Sequence, residues 1–258
     1  MLLTQDHRDT FERDGCTLIG DVLDDEICSA SDQSICHLYD TGEKSDGIIG
    51  YPSEPGLFPL LQYPQLEEIA KYILETDQVV LNSSAILFSR PQPGGELEFY
   101  GEHVDIMYSR EEWEARPRQV ICMLMVMLAD LPKGRANTYA RIGSHMQLAD
   151  WCAQEGREPV KTDATHQPDF PDLDWQPLTP VVAKAGQVIA FNTNLIHTGS
   201  TNIDTEPRRI MFINFCPRGK MAVVNGNSKE MELMAAWRNS LRESFIPERQ
   251  HLLLNDGD

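Results

Sequence analysis

Along the first quarter of the chain, apolar residues recur at the spacing of a helix face. In LTQDHRDTFERDG, Leu3, His7 and Phe11 fall on one side, and Gly15 supplies a C-terminal cap. The run CTLIGDVL reads as a short strand. DDEICSASDQSICHLYDTG opens with acidic residues suited to the positive end of a helix dipole and stops at Gly42. The Gly- and Pro-rich stretch 42–64 reads as loop, and YPQLEEIAKYILET as another amphipathic helix.

From Val79 the pattern changes. QVVLNSSAILFSR and RQVICMLMVMLAD are β-branched and apolar, and each is followed by Gly/Pro punctuation. PVVAKAGQVIAFNTNLIHTGS predicts two strands around a turn at Gly186, and RRIMFINFCPRG predicts another strand closed by Pro217 and Gly219. Short strands with no helices between them predict a mainly β protein with flanking helices, built as an antiparallel sandwich or barrel. One domain is expected, with a helical part over about 1–78, a β core over about 79–220 and a C-terminal helix over about 228–246. In that last helix Met231, Met234, Trp237, Leu241 and Phe245 form one stripe, which packs on the core, meets a second copy of the chain or covers a pocket. The long polar segment 152–180 has the length of a lid or binding loop.

Composition narrows the partners. The 258 residues hold 40 acidic and 22 basic side chains, a net charge of −18, and such a surface repels nucleic acid and anionic membranes. The longest apolar run, VICMLMVMLA, is too short to span a bilayer, and the N-terminus carries no signal-peptide pattern. Six scattered cysteines with no C-x-x-C pair fit reduced thiols in a cytoplasmic protein, a monomer or homodimer acting on a small molecule.

The chemistry-bearing stretch is FYGEHVDIMY. On a strand, residues i and i+2 share a face, so His103 and Asp105 project together while Val104 points away. An imidazole and a carboxylate are two thirds of a facial triad for non-haem Fe(II), and the third ligand is a histidine from elsewhere. His197, where an apolar strand meets a turn, is the candidate. Asn202 follows at +5 and Pro207-Arg208 at +11, opening a strand. A planar guanidinium there can bind a carboxylate through two parallel hydrogen bonds. Tyr100, Tyr108 and Trp113 flank the His-x-Asp stretch as candidate substrate contacts or loop anchors. His145, in GSH, reads as structural, Asn137 as turn chemistry, and Met123, Met125 and Met127 as core filling.

These features together resemble the phytanoyl-CoA dioxygenase superfamily of Fe(II)- and 2-oxoglutarate-dependent oxygenases. The resemblance is carried by FERDGCTLIGDVLDDE, by RIGSH (with Ile142 where the family has proline), and by AKAGQVIAFNTNLIHTGSTNIDTEPRR. It implies a double-stranded β-helix, or jelly roll, with helices outside one sheet. It implies that His103, Asp105 and His197 bind Fe(II) and that Arg208, preferred over Arg209 by the +11 spacing, holds the distal carboxylate of 2-oxoglutarate. Where relatives read H-G-S after the distal histidine this chain reads H-T-G-S, so Thr198 or Ser200 takes the hydroxyl's role. Arg90, on the preceding strand, assists the co-substrate, binds a substrate carboxylate or lies on the surface.

The implied reaction consumes O2 and 2-oxoglutarate, releases succinate and CO2, and oxidises an unactivated C–H bond of a small metabolite or natural-product intermediate. An intact Asp105 favours hydroxylation over halogenation, whereas desaturation, epoxidation and ring closure share the same ligands. The negative surface disfavours a CoA thioester. The rival class is a cupin-like isomerase or metal-binding protein without oxygenase turnover, which has no use for an arginine aimed at a keto acid.

Overall fold

A computed structural model describes residues 3–41, 46–105, 121–154, 170–220 and 228–253. Its large sheet has six antiparallel strands in the order β1-β7-β4-β9-β3-β2, formed by β1 (Cys16–Ile19), β2 (Gly47–Gly50), β3 (Val79–Ser89), β4 (Cys122–Met127), β7 (Val188–Phe191) and β9 (Arg208–Pro217). Facing it is a three-stranded sheet, β6-β5-β8, made of β5 (Tyr139–Arg141), β6 (Leu178–Pro180) and β8 (His197–Thr198). This is the expected jelly roll.

Alternation along β4 shows how the layers share their residues. Cys122, Leu124 and Val126 join the core between the large sheet and the helices, while Met123, Met125 and Met127 face the space between the sheets. The helical layer consists of α1 (Gln5–Asp14), α2 (Asp25–Asp40), α3 (Phe58–Leu61) and α4 (Pro64–Leu74). Gly15 caps α1 at φ 84°, the left-handed region expected of it, and Asp24 caps α2 by accepting from the Ile27 N–H. Helix α4 lies across β3, β4, β7 and β9, burying Leu66, Ile69, Ala70, Ile73 and Leu74.

Four sequence expectations change here. The stretch read as loop over 42–64 contains β2, a short 3-10 turn at Pro55–Leu57 and α3. A helix, α5 (Ser144–Cys152), interrupts the strands between β5 and β6. Of the two strands predicted around Gly186, the second is β7, whereas before the turn only Leu178–Pro180 is a strand and Ala183 makes one isolated bridge to Leu131. In the C-terminal helix α6 (Ser228–Leu241), the stripe packs on the core through Met234, Trp237 and Leu241, but Met231 is exposed. Trp237 Nε1 donates to the Pro52 carbonyl at 2.8 Å, which anchors the helix.

One buried carboxylate ties the C-terminal turn to the helical layer. Glu67, only 2% exposed, is paired with Lys71 at 2.7 Å, Arg249 at 2.5 Å and His251 at 3.0 Å. Burial alone favours its neutral form, but Lys71, His251 and Arg249 together outweigh this and hold its pKa below the usual range. A depressed carboxylate contributes stability above its unfolded pKa and loses it as pH falls through the folded value. Glu67→Gln is therefore expected to cost about 1–2 kcal/mol in urea denaturation at neutral pH, because Arg249, the least exposed of the three partners, loses the carboxylate it is paired with. The deficit should begin to shrink as pH falls below the ordinary glutamate range, about 4.3, and close only at the lower pH where Glu67 in the folded protein is itself neutral.

Candidate metal centre

The His-x-Asp stretch is not a regular strand. His103 makes an isolated antiparallel bridge to His197, with N–H···O distances of 2.9 and 3.0 Å in the two directions. Asp105 is pinned next to it, its N–H donating to the Thr193 carbonyl at 2.9 Å. Val104 turns away as the alternation predicts, into a buried cluster with Ile196, Leu148 and Cys216. Nor does His197 end the strand of β7. The chain leaves the large sheet after Phe191, turns through Asn192–Leu195 and enters the small sheet as β8. That turn is held from below, since Asn192 N–H donates to the Gly15 carbonyl. Gly143 N–H donates to the Asp14 carbonyl, and His145 Nε2–H to the Glu12 carbonyl at 2.9 Å, so His145 has a structural position.

The three side chains converge. Asp105 Oδ1 lies 3.8 Å from His103 Nε2 and 3.5 Å from His197 Nε2, and one ligand atom from each residue falls within 4.8 Å of the others. The imidazole centroids are 4.3 Å apart. Each Nδ1 is occupied by a backbone carbonyl, His103 by that of Gly101 at 3.1 Å and His197 by that of Leu195 at 2.9 Å. Those contacts place the ring proton on Nδ1 and turn both Nε2 lone pairs toward Asp105. Two neutral imidazoles and one carboxylate on one side of a site suit Fe(II) with positions left open. Phe191 meets His197 edge-on at 5.1 Å and walls the interior side.

Burial opposes protonation of His197, but Asp105 and the Leu195 carbonyl outweigh it and raise the imidazole pKa. A metal must displace that proton. Affinity for a redox-silent ion such as Mn(II) is therefore expected to rise with pH beyond about 6.5 and level off only above the raised value. Calorimetric titration across pH checks this, and a plateau already reached at pH 6 would contradict it.

Arg208 and its neighbour Arg209 have opposite fates. Arg208 opens β9 facing inward, 2% exposed, with Nη1 donating to the Ala136 carbonyl and Nη2 to Thr138 Oγ1 at 2.9 Å. Its Nε is buried with no hydrogen-bond partner, and among the described residues no carboxylate pairs with it. Burial lowers its pKa to about 9, opposed by the nearby Tyr100 hydroxyl. A guanidinium so placed is suited to receive a carboxylate. Arg209 points outward and is paired with Asp32 of α2.

The other candidates divide. Arg90 is directed away from the centre: its guanidinium is paired with Asp46 at 3.0 Å and donates to the Tyr39 carbonyl at 2.9 Å. Thr198 Oγ1 donates to the Gly199 carbonyl, and Ser200 Oγ to the Asn137 carbonyl, so both hydroxyls are engaged with backbone. Tyr100 lies against Gly199 beside the centre. Tyr108 and Trp113 fall outside the described residues, as does most of the 152–180 segment.

Two contributors escape sequence reasoning. Thr138 carries no motif, and only the fold brings it to Arg208, 70 positions away in sequence. Arg141 grips both oxygens of Glu102, next to His103, and donates to the Gln176 carbonyl at 2.9 Å. That fork fastens the base of the ligand-bearing stretch to the small sheet.

The fold recurs in enzymes of known structure. The non-heme alpha-ketoglutarate-dependent carbocyclase SnoK from nogalamycin biosynthesis superimposes with a TM-score of 0.66 at 17% identity, over 89% of this chain and 90% of that one. The epimerase SnoN, crystallised with Fe3+, alpha-ketoglutarate and nogalamycin RO, gives 0.64 at 16%, over 88% of each chain. EctD from S. alaskensis, with 2-oxoglutarate and 5-hydroxyectoine, gives 0.60 at 18%, over 86% and 78%. No curated protein sequence matches the chain. The family model for phytanoyl-CoA dioxygenase (PhyH) matches residues 11–210, a span that begins in α1 and ends in β9 just past Arg208. By that match the chain belongs to the phytanoyl-CoA dioxygenase (PhyH) family.

Proposed function

We propose that the protein is an Fe(II)- and 2-oxoglutarate-dependent dioxygenase that hydroxylates an unactivated C–H bond of a small molecule. The observation that carries this is the pairing of a converged His103–Asp105–His197 site with a buried Arg208 that meets no carboxylate among the described residues. A metal-binding protein or cupin-like isomerase needs the first of these but not the second.

When bound, iron would supply the redox chemistry that couples decarboxylation of the keto acid to attack on the substrate C–H bond. The chain's own residues set the geometry. His103, Asp105 and His197 would hold the iron, each offering one ligand atom. Arg208, steadied by the Ala136 carbonyl and Thr138, takes the distal carboxylate and fixes the keto acid's direction. Phe191 and the inward methionines of β4 keep the interior side dry.

The substrate's class follows from the wall beside this site. On β3 and β9 the inward residues Ser83, Ala85, Leu87, Phe212 and Asn214 are partly exposed and uncharged. With a net charge of −18 around it, such a wall suits a neutral or cationic small molecule better than an anionic CoA thioester. SnoN, crystallised with nogalamycin RO, and EctD, crystallised with 5-hydroxyectoine, each hold a small molecule, which supports that reading. Six free thiols support a reducing, cytoplasmic setting.

The test has two stages. Anaerobic protein with Fe(II) should develop a weak visible charge-transfer band on adding 2-oxoglutarate. With O2, ascorbate and a candidate substrate it should release succinate and yield a product heavier by one oxygen. A product lighter by two hydrogens would replace hydroxylation with desaturation or ring closure. Absence of the band and of succinate would overturn the oxygenase reading.

A further inference from the structure

The backbone just ahead of His103 is irregular. Its pairing with the chain that follows Ile196 slips by one residue between the Phe99–Ser200 and His103–His197 bridges. Within the slip lies Gly101, whose φ of 117° is a conformation that glycine adopts far more readily than other residues. Yet this stretch must fix an imidazole, because the Gly101 carbonyl accepts the His103 Nδ1–H at 3.1 Å. How the Gly101–Glu102 peptide is turned therefore decides where His103 Nε2 points.

Arg141 holds that peptide. Its Nε and Nη2 donate to the two oxygens of Glu102, the latter at 2.7 Å, and its Nη1 donates to the Gln176 carbonyl at 2.9 Å. Three bonds in one plane leave the guanidinium little freedom to turn. The same residue reaches the other histidine through its backbone. The Arg141 N–H donates to the carbonyl of Ile196, the residue before His197, at 2.9 Å. Arg141 thus grips the chain directly ahead of both imidazole ligands. It does so from outside the site, since its neighbour Ala140, paired with His197, is the residue of β5 that faces the core between the sheets.

We propose that Arg141 is a positioning residue for the metal centre: by clamping Glu102 it fixes the Gly101–Glu102 peptide, and through that peptide the direction of the His103 imidazole relative to His197. This rests on the reading of His103, Asp105 and His197 as metal ligands.

The test is calorimetric binding of Mn(II) to the metal-free protein, well below its melting temperature. Charge and position predict opposite signs. A cation near a dication repels it, so by charge alone Arg141→Met would tighten binding. If Arg141 positions His103, the same variant binds Mn(II) more weakly. Arg141→Lys keeps the charge and loses the fork, and is expected to weaken Mn(II) about tenfold, the scale on which hydrogen-bonded supports of metal ligands act. Glu102→Asp keeps the opposite charge and draws the carboxylate back by one methylene, so it should weaken Mn(II) to a similar degree even where Arg141→Lys does not fold. The two changes combined should add little to either alone. The paramagnetic resonance spectrum of bound Mn(II) should change in both single variants, because the ligand geometry has. A pair that only stabilises the fold would lower the melting temperature and leave Mn(II) affinity and spectrum as in wild type. That result, or tighter binding by Arg141→Met, would overturn this inference alone. Failure of the wild-type protein to bind Mn(II) would remove the reading of the three ligands as well.

Discussion

With His103→Ala, a folded protein is expected that no longer retains Fe(II) and no longer turns 2-oxoglutarate into succinate. The backbone bridge between positions 103 and 197 does not depend on the imidazole, and Val104 stays buried, so the chain should melt close to the wild-type temperature. What disappears is one of three donors. His197 and Asp105 remain, but two ligands fix neither the orientation of the metal nor which of its positions stay open. Metal catalysis is worth several kcal/mol of barrier, and at about 1.4 kcal/mol per tenfold the loss in rate should be on the order of 10^3. Metal content after gel filtration, succinate yield and a thermal melt check the three parts. Iron retained at wild-type stoichiometry with normal succinate would remove His103 from the site.

Arg208→Met and Arg209→Met should separate two residues that are neighbours in sequence and opposite in the fold. Losing Arg208 removes paired, charge-assisted hydrogen bonds to a carboxylate, each worth about 1.5 kcal/mol or more, so 2-oxoglutarate affinity should fall about a hundredfold. Without ligand the same variant should melt no lower than wild type, because a buried cation that meets no acidic partner among the described residues costs stability that a methionine of similar volume does not. Arg209→Met loses its pair with Asp32 on the outer face. It should cost at most about 1 kcal/mol of stability and leave 2-oxoglutarate binding alone. Calorimetry and melting curves read both. If Arg209→Met loses 2-oxoglutarate and Arg208→Met does not, the register assigned to β9 is wrong.

How far the chain could be read from its residues depended on how local each signal was. The helix ending at Gly15 and the apolar runs of β3, β4 and β9 carry their own periodicity, and they stand where the pattern puts them. Strand β2 does not, because GIIG is four residues bounded by glycine and becomes a strand only by pairing with Ile86 and its neighbours. Helix α5 is short, with one face in contact with Val80, Val104 and Ile196, which sequence spacing cannot reveal. At the site, the sequence singled out 103, 105 and 197 because a metal demands particular donors, and the fold brings those three side chains together. That Thr198 and Ser200 turn to backbone carbonyls, that Arg90 reaches Asp46 instead of the interior, and that Thr138 supports Arg208 are all consequences of long-range pairing. Spacing holds no record of them.

The turn that delivers His197 rests on the end of α1, through Gly15 to Asn192 and Glu12 to His145, contacts that join residues 177 and 133 positions apart. Such contacts form late, because a chain must close its long loops before they reward it. The metal centre is thus complete only once loops as long as those of the large sheet have closed and the amino-terminal helix has docked. An ion that binds only this finished arrangement has nothing to hold in the folding transition state. It lengthens the lifetime of the native protein by slowing its unfolding and leaves the rate of folding unchanged.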